Sequence, residues 1–353
     1  MPPIKLAVFS TKSYDKTYLS AAFPTHPEIQ ATYLPVPLTL ETAPLAATHS
    51  AICAFVNDTL DAPVLHALHK AGTRAILLRC AGFNNIDLPT AESLGLFVAN
   101  VPSYSPEAVA EFTVALLQTL NRNIHRAYSR VRDGNFNLEG FLGVTLHGKT
   151  VGVVGVGRIG LAVVRILRGF GCRVLAADPK PALTPDEFRD GYGGEMVGLR
   201  TLLEQSDVVS LHCPLTGGTR HIMGVENLGL MKEGALLVNT SRGALVDTRA
   251  AIEALKCGRL GGLALDVYEE EEAYFYNDHS QEVIRDDTLM RLMTFPNVIV
   301  CGHQAFFTHE ALTEIAGTTV ANLLDWMMGR HCGNSLVREG HLVVPEGKEP
   351  VRI

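Results

Sequence analysis

Long hydrophobic runs are absent from this 353-residue sequence. No apolar stretch approaches the roughly 18 to 20 residues that a transmembrane helix requires. The first apolar run, Ile4–Phe9, is interrupted by Lys5 and is too short for a signal peptide. The last three residues do not form a peroxisomal targeting signal. We therefore expect a cytoplasmic protein that has no membrane partner.

Cysteine is scarce and scattered, with seven residues and no C-x-x-C pair. This pattern argues against a disulfide framework and against a zinc site built from paired cysteines. His66 and His69 are three residues apart on an expected helix, but no third ligand accompanies them. We predict no metal site.

A surplus of positive charge is also missing, since the formal net charge is −7 at pH 7. This balance argues against nucleic acid or an anionic membrane as the main partner. What is present is a 47% hydrophobic composition over a length that suits two domains with substantial cores. Both features are typical of a globular protein.

In roughly the first hundred residues, short apolar runs alternate with helical patterns. One helix is expected at Pro63–Lys70, with Asp61 as its N-cap. Such alternation predicts a parallel sheet with helices on both faces. The five expected strands are Ile4–Phe9, Thr32–Leu34, Ala51–Phe55, Arg74–Leu78 and Leu96–Ala99.

A helix start with three agreeing signals follows these strands. Ser105 suits the N-cap, Pro106 suits the first helical position, and Glu107 places an acidic side chain in the first turn. We expect one continuous helix from this point to about Arg132.

From Thr150 a second alternating series begins, and it contains six expected strands. Six is the number in a full doubly wound dinucleotide-binding fold. After the series, His309–Met328 is expected to form one long helix, followed by an irregular tail. The six strands are Val151–Val154, Val174–Ala177, Val208–Leu211, Ala235–Asn239, Leu263–Asp266 and Val298–Cys301.

Residues 155–160 match the G-x-G-x-x-G pattern of a phosphate-binding turn between a strand and a helix. Gly155 permits the tight turn, Gly157 lets the backbone approach a pyrophosphate, and Gly160 allows the helix to pack on the strand. The helix N-terminus adds a partial positive charge for the phosphates. Arg158 and Ile159 are the other cofactor-binding candidates of this turn.

Asp178 lies at the end of the next expected strand, 18 residues past Gly160. A carboxylate there accepts hydrogen bonds from ribose hydroxyls and repels a 2′-phosphate, so NAD is favoured over NADP. Lys180 nearby is the one opposing charge. A glycine-rich turn that binds nothing is the alternative, but strand, glycines, helix and acid all fall in register.

Arg242, Glu271 and His303 each follow an expected strand, where ligands bind in doubly wound sheets. Arginine offers a planar fork that binds a carboxylate through two parallel hydrogen bonds. Histidine can give a proton to a ketone oxygen and take it back in the reverse reaction. A carboxylate beside the imidazole favours the protonated ring.

Each of these residues also has a structural interpretation. An arginine near serine and glycine is usually a solvated loop residue, and a lone histidine is usually structural. Glu271 lies in a run of four glutamates, 269–272, which is typical of a solvated face. Sequence spacing alone does not show that the three side chains converge.

Several stretches together resemble the D-isomer-specific 2-hydroxyacid dehydrogenases, in order and over nearly the whole chain. Residues 79–87 resemble the substrate loop of that family, and residues 101–111 resemble its first interdomain crossing. Residues 212–216, 239–247 and 261–268 are similar to its signature stretches.

The resemblance implies a role for each member of the candidate trio. Arg242 would bind the substrate carboxylate, Glu271 would orient and charge the histidine, and His303 would be the acid and base. Backbone N–H groups of Ala81 and Gly82 would also hold the carboxylate.

Further residues around substrate and cofactor are implied in the same way. Tyr104 would face the substrate. Phe306 offers an apolar wall suited to a methyl group, and Phe55 is the candidate for a second wall. The cofactor would also be contacted by Asp266, at the nicotinamide amide, and lined by Cys213, Pro214 and Thr240.

The resemblance also implies two doubly wound parallel-sheet domains. A Rossmann NAD-binding domain at residues 103–305 would be inserted into a flavodoxin-like substrate domain formed by residues 1–102 and 306–353. The family is usually dimeric, so a homodimer is expected.

Residues 274–280 and 284–287 resemble an insertion found in the D-lactate dehydrogenases of this family, and residues 302–308 are similarly characteristic. We therefore expect NADH-dependent, reversible reduction of pyruvate to D-lactate. The alternatives within this class are reduction of glyoxylate, hydroxypyruvate or a longer 2-keto acid. Phe55 stands where some lactate-type relatives carry tyrosine, which keeps these alternatives open. A non-enzymatic, NAD(H)-sensing corepressor is the alternative from a different class.

Overall fold

A computed structural model describes residues 3–23, 26–338 and 340–343 of the chain. The chain divides into two compact units, one of Met1–Ser105 with Phe307–Ile353 and the other of Pro106–Phe306. No helix in the described ranges is both long enough and apolar enough to span a membrane.

The first unit is built on one seven-stranded sheet. Its elements are β1 (Ile4–Val8), α1 (Ser13–Ala22), β2 (Ile29–Tyr33), β3 (Ala51–Ala54), α2 (Ala62–Lys70), β4 (Ala75–Leu78), α3 (Leu88–Ser93), β5 (Phe97–Ala99), α12 (His309–Met327), β13 (Ser335–Arg338) and β14 (His341–Leu342). The first five strands are parallel and run in the order β2-β1-β3-β4-β5, which is the flavodoxin-like arrangement.

Both faces of this sheet are buried, as the continuous apolar runs predict. Along β3, Ile52 and Ala54 belong to one apolar cluster, while Ala51 and Cys53 belong to another on the opposite face. Leu323 of α12 packs into the second cluster. The prediction of five strands in a parallel sheet covered by helices is confirmed, although β2 begins at residue 29 instead of 32.

The prediction of an irregular tail after α12 was wrong, because β13 and β14 extend the sheet. β13 pairs antiparallel with β5, with Ser335 opposite Ala99 and Val337 opposite Val98. Val337 is fully buried. The four-residue strand is too short to give a periodic signal in sequence, and its pairing with a distant strand decides its conformation.

The second unit is built on another seven-stranded sheet, and all its strands are parallel. Its elements are α4 (Pro106–Asn121), α5 (Ile124–Arg132), β6 (Thr150–Val154), α6 (Arg158–Gly169), β7 (Arg173–Ala177), α7 (Pro185–Tyr192), β8 (Glu195–Met196), α8 (Leu199–Gln205), β9 (Val208–Leu211), α9 (Val225–Leu230), β10 (Ala235–Asn239), α10 (Thr248–Lys256), β11 (Leu260–Leu265), α11 (Asp287–Met293) and β12 (Val298–Val300). The order β8-β7-β6-β9-β10-β11-β12 contains the Rossmann strand order. The predicted fold class is confirmed.

The register of this second sheet aligns the strand ends. Val154 pairs with Ala177 on one side and with Leu211 on the other. Asn239 pairs with Leu211 and with Leu265. Because the strands are parallel and in register, the residues that follow their carboxyl ends lie along one edge of the sheet.

Two predictions for this unit were incomplete or wrong. The helix expected to run continuously to about Arg132 is broken into α4 and α5, because Asn123 adopts a left-handed conformation with φ of 51°. All six expected strands are present, but β8 was missed. β8 has only two residues and lies at the sheet edge, so it carries no alternation to detect.

Candidate active site

The glycine-rich turn lies between β6 and α6 and has little room for side chains at two of its three glycines. Gly155 has a φ of 92°, and a Cβ there would lie 2.6 Å from the backbone nitrogen of Cys213. A Cβ on Gly160 would lie 2.1 Å from the carbonyl oxygen of Gly155. These two glycines therefore serve the close packing of the turn itself.

Gly157 differs, because a Cβ added there would have no protein atom within 4 Å. The missing side chain leaves an open approach to the N-terminus of α6, where Gly157 is the N-cap and Arg158 and Ile159 begin the first turn. Exposed N–H groups and the positive end of a helix suit a pyrophosphate. The turn therefore fits the phosphates of NAD.

Asp178 directly follows β7 and is fixed by two backbone donors. Its Oδ2 accepts a hydrogen bond from the N–H of Val156 at 3.0 Å, and its Oδ1 accepts one from the N–H of Lys180 at 2.9 Å. The first contact ties the acid to the phosphate turn. Each carboxylate oxygen retains acceptor capacity for a ribose hydroxyl.

The remaining cofactor candidates also follow strand ends of the second sheet. Cys213 and Pro214 lie after β9, and burial raises the pKa of the Cys213 thiol to about 11, so it stays protonated near neutrality. Thr240 follows β10, and its hydroxyl hydrogen bonds with that of Thr113 at 2.7 Å. Asp266 follows β11 and is fully buried.

Arg242 is half-buried on the segment after β10, and its backbone is held in place by Asn239. The amide of Asn239 donates to the carbonyl oxygen of Arg242 at 2.8 Å, and its oxygen accepts from the N–H of Ser241 at 3.0 Å. The guanidinium donates to the carbonyl oxygen of Ser241 at 2.7 Å. Among the residues that the structure describes, Arg242 forms no ion pair, so its fork is available for an external carboxylate.

Glu271 and His303 are in direct contact. The Nδ1 atom of His303 lies 2.7 Å from the Oε1 atom of Glu271, and both side chains are largely buried. The Oε2 atom of Glu271 accepts from the N–H of Tyr268 at 2.9 Å. With Nδ1 held by a carboxylate, the Nε2 atom is the one that can exchange a proton with a substrate.

The backbone around His303 is shaped by the buried carboxylate of Asp266. Its two oxygens accept from the N–H groups of Gln304 at 2.8 Å and Ala305 at 2.9 Å. Burial raises the pKa of Asp266, while these two N–H donors oppose that shift. His303 has a φ of 54°, a conformation that costs about 1 to 3 kcal/mol and is common at functional sites.

The segment that resembles a lactate-type insertion packs on this histidine. The hydroxyl of Tyr276 donates to the carbonyl oxygen of His303 at 3.2 Å, and the two rings lie 5.9 Å apart. The hydroxyl of Tyr268 donates to Asp286 at 2.6 Å. Phe275 and Leu289 complete a small apolar cluster with Tyr268. The insertion therefore supports the Glu271–His303 pair.

The first unit carries the predicted substrate loop after β4. The amide of Asn100 donates to the carbonyl oxygen of Ala81 at 2.8 Å, and the Cys80 thiol donates to that of Gly82. In the described part of the chain, the N–H groups of Ala81 and Gly82 donate to no protein acceptor. They can thus donate to a bound carboxylate.

The aromatic candidates lie in different surroundings. Phe55 is buried in the first unit under the guanidinium of Arg79, which lies 4.7 Å from its ring centre and pairs with Asp15 at 3.0 Å. Tyr104 is half-buried just before α4. Phe306 is half-buried in the second unit, next to the residues whose backbone Asp266 holds.

Sequence reasoning missed a second histidine–glutamate pair in the second unit. The Nε2 atom of His221 hydrogen bonds with Glu269, and Arg220 lies 3.7 Å from the same carboxylate. Within the run 269–272, residues 269 and 271 are partly buried and residues 270 and 272 are exposed. The four residues are identical in sequence, so this difference in burial becomes visible only in the folded structure.

Comparisons with known proteins show the family to which the chain belongs. Residues 114–305 match the family model described as the D-isomer specific 2-hydroxyacid dehydrogenase, NAD binding domain. The chain is 68% identical to 2-hydroxyacid dehydrogenase A of Aspergillus oryzae, over 99% of this chain and 100% of that protein. It is 60% identical to D-lactate dehydrogenase kk1H of Curvularia clavata, over 95% of this chain and 96% of that protein.

The solved structures include a close match. The apo structure of D-lactate dehydrogenase from Escherichia coli superposes with a TM-score of 0.85 at 49% identity, over 95% of this chain and 100% of that chain. Together with the glycine-rich turn, the acid after β7 and the histidine–glutamate pair, these matches identify the chain as a member of the D-isomer-specific 2-hydroxyacid dehydrogenases, which are NAD-dependent enzymes.

Proposed function

We propose that this enzyme reduces pyruvate to D-lactate with NADH and catalyses the reverse oxidation. The observation that carries the proposal is the Glu271–His303 pair, which lies along the same sheet edge as the glycine-rich turn and Arg242, an arginine with no ion pair among the described residues. The names of two similar proteins, from Curvularia clavata and Escherichia coli, support lactate as the product class.

Arg242 and the substrate loop would bind the carboxylate of the keto acid. The guanidinium fork gives two parallel, charge-assisted hydrogen bonds that fix the plane of the carboxylate. The N–H groups of Ala81 and Gly82 would add neutral donors. Fixing the carboxylate limits the orientations of the neighbouring carbonyl carbon, and a hydrogen bond from His303 to the ketone oxygen would select the face that receives the hydride.

His303 would supply the proton for the ketone oxygen. NADH, when bound, supplies the hydride that reaches the carbonyl carbon. As negative charge develops on the oxygen, the Nε2 atom of His303 gives up its proton to it, and the product hydroxyl forms. Glu271 holds Nδ1, which fixes the orientation of the ring and leaves Nε2 as the atom that exchanges the proton. In the reverse reaction, neutral His303 takes the hydroxyl proton.

The aromatic side chains would set which 2-keto acid is accepted. Phe306 and Phe55 are apolar surfaces suited to a methyl group, and Tyr104 would face the substrate. Discrimination between apolar side chains that differ by one methylene is worth about 1 to 3 kcal/mol. We propose the first unit as the substrate domain and the second as the NAD-binding domain.

The cofactor would be held by residues at the ends of strands in the second unit. Gly157 would leave room for the pyrophosphate, and Asp178 would accept from the ribose hydroxyls. Asp266 would contact the nicotinamide amide. The other proposed contacts are Gly155, Arg158, Ile159, Gly160, Cys213, Pro214 and Thr240.

We also propose that the enzyme is a homodimer, which would explain an exposed apolar segment between α5 and β6. Phe136 is 72% exposed, Leu138 is 81% exposed and Leu142 is 98% exposed. Several large apolar side chains exposed within seven residues are typical of an interaction surface. The outer face of α5 adds Ile124 and Tyr128, both more than half exposed.

The assay that tests the proposed reaction follows NADH oxidation by the purified enzyme with pyruvate, hydroxypyruvate, glyoxylate and 2-ketoisocaproate in parallel. We expect the highest kcat/KM with pyruvate, and NADH well ahead of NADPH because of Asp178. A higher kcat/KM with another keto acid would reject pyruvate as the substrate and direct attention to Phe55 and Phe306. No turnover with any of them would reject the catalytic assignment.

A further inference from the structure

His221 lies between β9 and α9 and hydrogen bonds to the segment that carries Arg242, and Glu269 lies on the loop that carries Glu271. We propose that this second pair is a positioning device for the reaction: it clamps the Arg242 segment to the Glu271 loop and thereby sets the affinity for the substrate carboxylate. This inference rests on the proposed roles of Arg242 and Glu271. The pair itself would touch neither substrate nor cofactor.

Glu269 is the centre of the clamp. Its Oε2 accepts from the hydroxyl of Thr248 at 3.1 Å and from the N–H of the same residue at 3.4 Å. Its Oε1 binds the Nε2 atom of His221. The side chain is 17% exposed, so these bonds act in a partly desolvated environment. Thr248 begins α10, six residues after Arg242.

His221 connects the clamp to the Arg242 segment by its backbone as well. Its N–H donates to the carbonyl oxygen of Ala244 at 2.8 Å, two residues past Arg242. Two residues further on, Met223 forms a parallel bridge with Val246. The segment after Arg242 is thus held by backbone bonds on one side and by the Glu269 carboxylate on the other.

Gly243 shows how closely the two pieces approach. A Cβ at Gly243 would lie 2.1 Å from the carbonyl carbon of Tyr268 and 2.5 Å from the nitrogen of Glu269. The backbone that follows Arg242 therefore rests directly on the residues that precede Glu271. A shift of either piece must move the other, because no space separates them.

The two histidine–glutamate pairs share an unusual backbone feature. His221 has a φ of 52° and His303 has a φ of 54°, and each is bonded to a glutamate of the run 269–272. Left-handed backbone is strained in a non-glycine residue and persists where surrounding contacts enforce it. One loop thus anchors two histidines, of which one would be catalytic and the other would position the carboxylate-binding arginine.

The test compares Glu269→Gln, His221→Gln and the double variant with the unaltered holoenzyme. Glu270→Gln is the matched control, since residue 270 is exposed in the same run. We expect KM for the preferred keto acid to rise about tenfold to a hundredfold in Glu269→Gln, because small misplacements of positioning groups have effects of that size. The Kd for NADH should be unchanged, and kcat should change less than KM.

The double variant should lose no more than the larger single loss, because both residues act as one unit. Hydrogen exchange in residues 242–248 should speed up in Glu269→Gln and not in Glu270→Gln, and this readout does not depend on turnover. A Glu269→Gln enzyme with KM within about twofold of the unaltered enzyme would overturn the proposal. A matched loss of NADH affinity, kcat and melting temperature would also overturn it, since that pattern indicates a purely structural role.

Absence of turnover in the unaltered enzyme is a separate result. It would reject the proposed function, and the exchange measurement would still decide whether Glu269 restrains the Arg242 segment. Faster exchange in that segment would support the clamp, and unchanged exchange would reject it.

Discussion

At the scale of single residues, the site depends on acids that hold other groups in place. Glu271 holds the ring of His303, Asp266 holds the backbone that follows it, and Asp178 holds the phosphate turn. The sequence pointed to Asp178 and Glu271 through their places after expected strands, and to Asp266 through the family resemblance alone. It could not show their partners, because hydrogen bonds between residues such as 271 and 303 depend on the register of the sheet.

Replacing Glu271 with Gln tests the first of these contacts. The amide keeps the shape of the side chain but does not stabilise an imidazolium, so we expect kcat/KM to fall about a hundredfold. The Kd for NADH should be unchanged. Glu272→Gln, an exposed neighbour, is the control. Equal activity of the two variants would show that Glu271 has no part in proton transfer.

His212 gives a prediction about stability and pH. Burial lowers its pKa from the ordinary 6.5 to about 4, so the folded chain keeps it neutral while the unfolded chain protonates it first. Neutral His212 therefore contributes to the stability of the folded state above the pKa that it has in the unfolded chain. This contribution, about 3 kcal/mol in all, is lost as the pH falls from about 6.5 to about 4.

Denaturant unfolding near neutral pH and at about pH 5 measures this effect. Between these two pH values, the free energy of unfolding of the unaltered enzyme should fall by about 2 kcal/mol more than that of His212→Gln. Equal losses in both proteins would mean that His212 is protonated in the folded state. The Nε2 atom of His212 hydrogen bonds with the hydroxyl of Ser210 at 2.8 Å. NMR of the ring nitrogens would give a second measurement of whether the imidazole is neutral.

At the scale of elements, the best predicted features were those with a local physical cause. Asp61 caps α2 by accepting from the N–H of Val64, as its place before Pro63 suggested. The break at Asn123 was not predicted, since asparagine tolerates both helical and left-handed backbone. β8 and β13 were missed because strands of two to four residues owe their conformation to partners that are distant in sequence.

The phosphate turn offers an element-scale prediction that separates cofactor binding from folding. In Gly157→Ala the new Cβ meets no protein atom within 4 Å, so stability should change by less than about 0.5 kcal/mol. The same Cβ would enter the space for the pyrophosphate, and the Kd for NADH should rise at least about tenfold.

Gly155→Ala is the contrasting variant. Its Cβ would collide with the backbone of Cys213, and its φ of 92° disfavours alanine, so this variant should lose stability as well. Unchanged NADH affinity in Gly157→Ala, measured by fluorescence titration, would remove that glycine from the cofactor site.

At the scale of the whole molecule, the alternation of strands and helices predicted the two doubly wound sheets. The family resemblance predicted that the NAD-binding domain is inserted into the substrate domain. Continuous apolar runs such as 75–78 and 174–177 can be recognised in the sequence because a parallel sheet is buried on both faces. The exposure of large apolar side chains between residues 136 and 142 could not be predicted, since the sequence does not show which apolar residues remain outside the core.

The exposed apolar segment between α5 and β6 predicts that the enzyme is a homodimer. Sedimentation should give twice the 38.2 kDa mass of the chain, and Leu138→Glu should shift the enzyme towards the monomer by placing a charge in an apolar interface. Glu139→Gln, at an exposed neighbour, should leave the mass unchanged. A single-chain mass for the unaltered enzyme at micromolar concentration would contradict the dimer.

Our proposal for this enzyme is that one edge of the second sheet brings together NAD, a carboxylate-binding arginine and a histidine acid to make a D-2-hydroxy acid. Its most direct test is the configuration of the product formed from pyruvate and NADH, determined by chiral chromatography and compared with the NADH consumed. We expect D-lactate in an amount equal to that of the NADH oxidised. L-lactate, a racemic product, or NADH oxidation without lactate would contradict it.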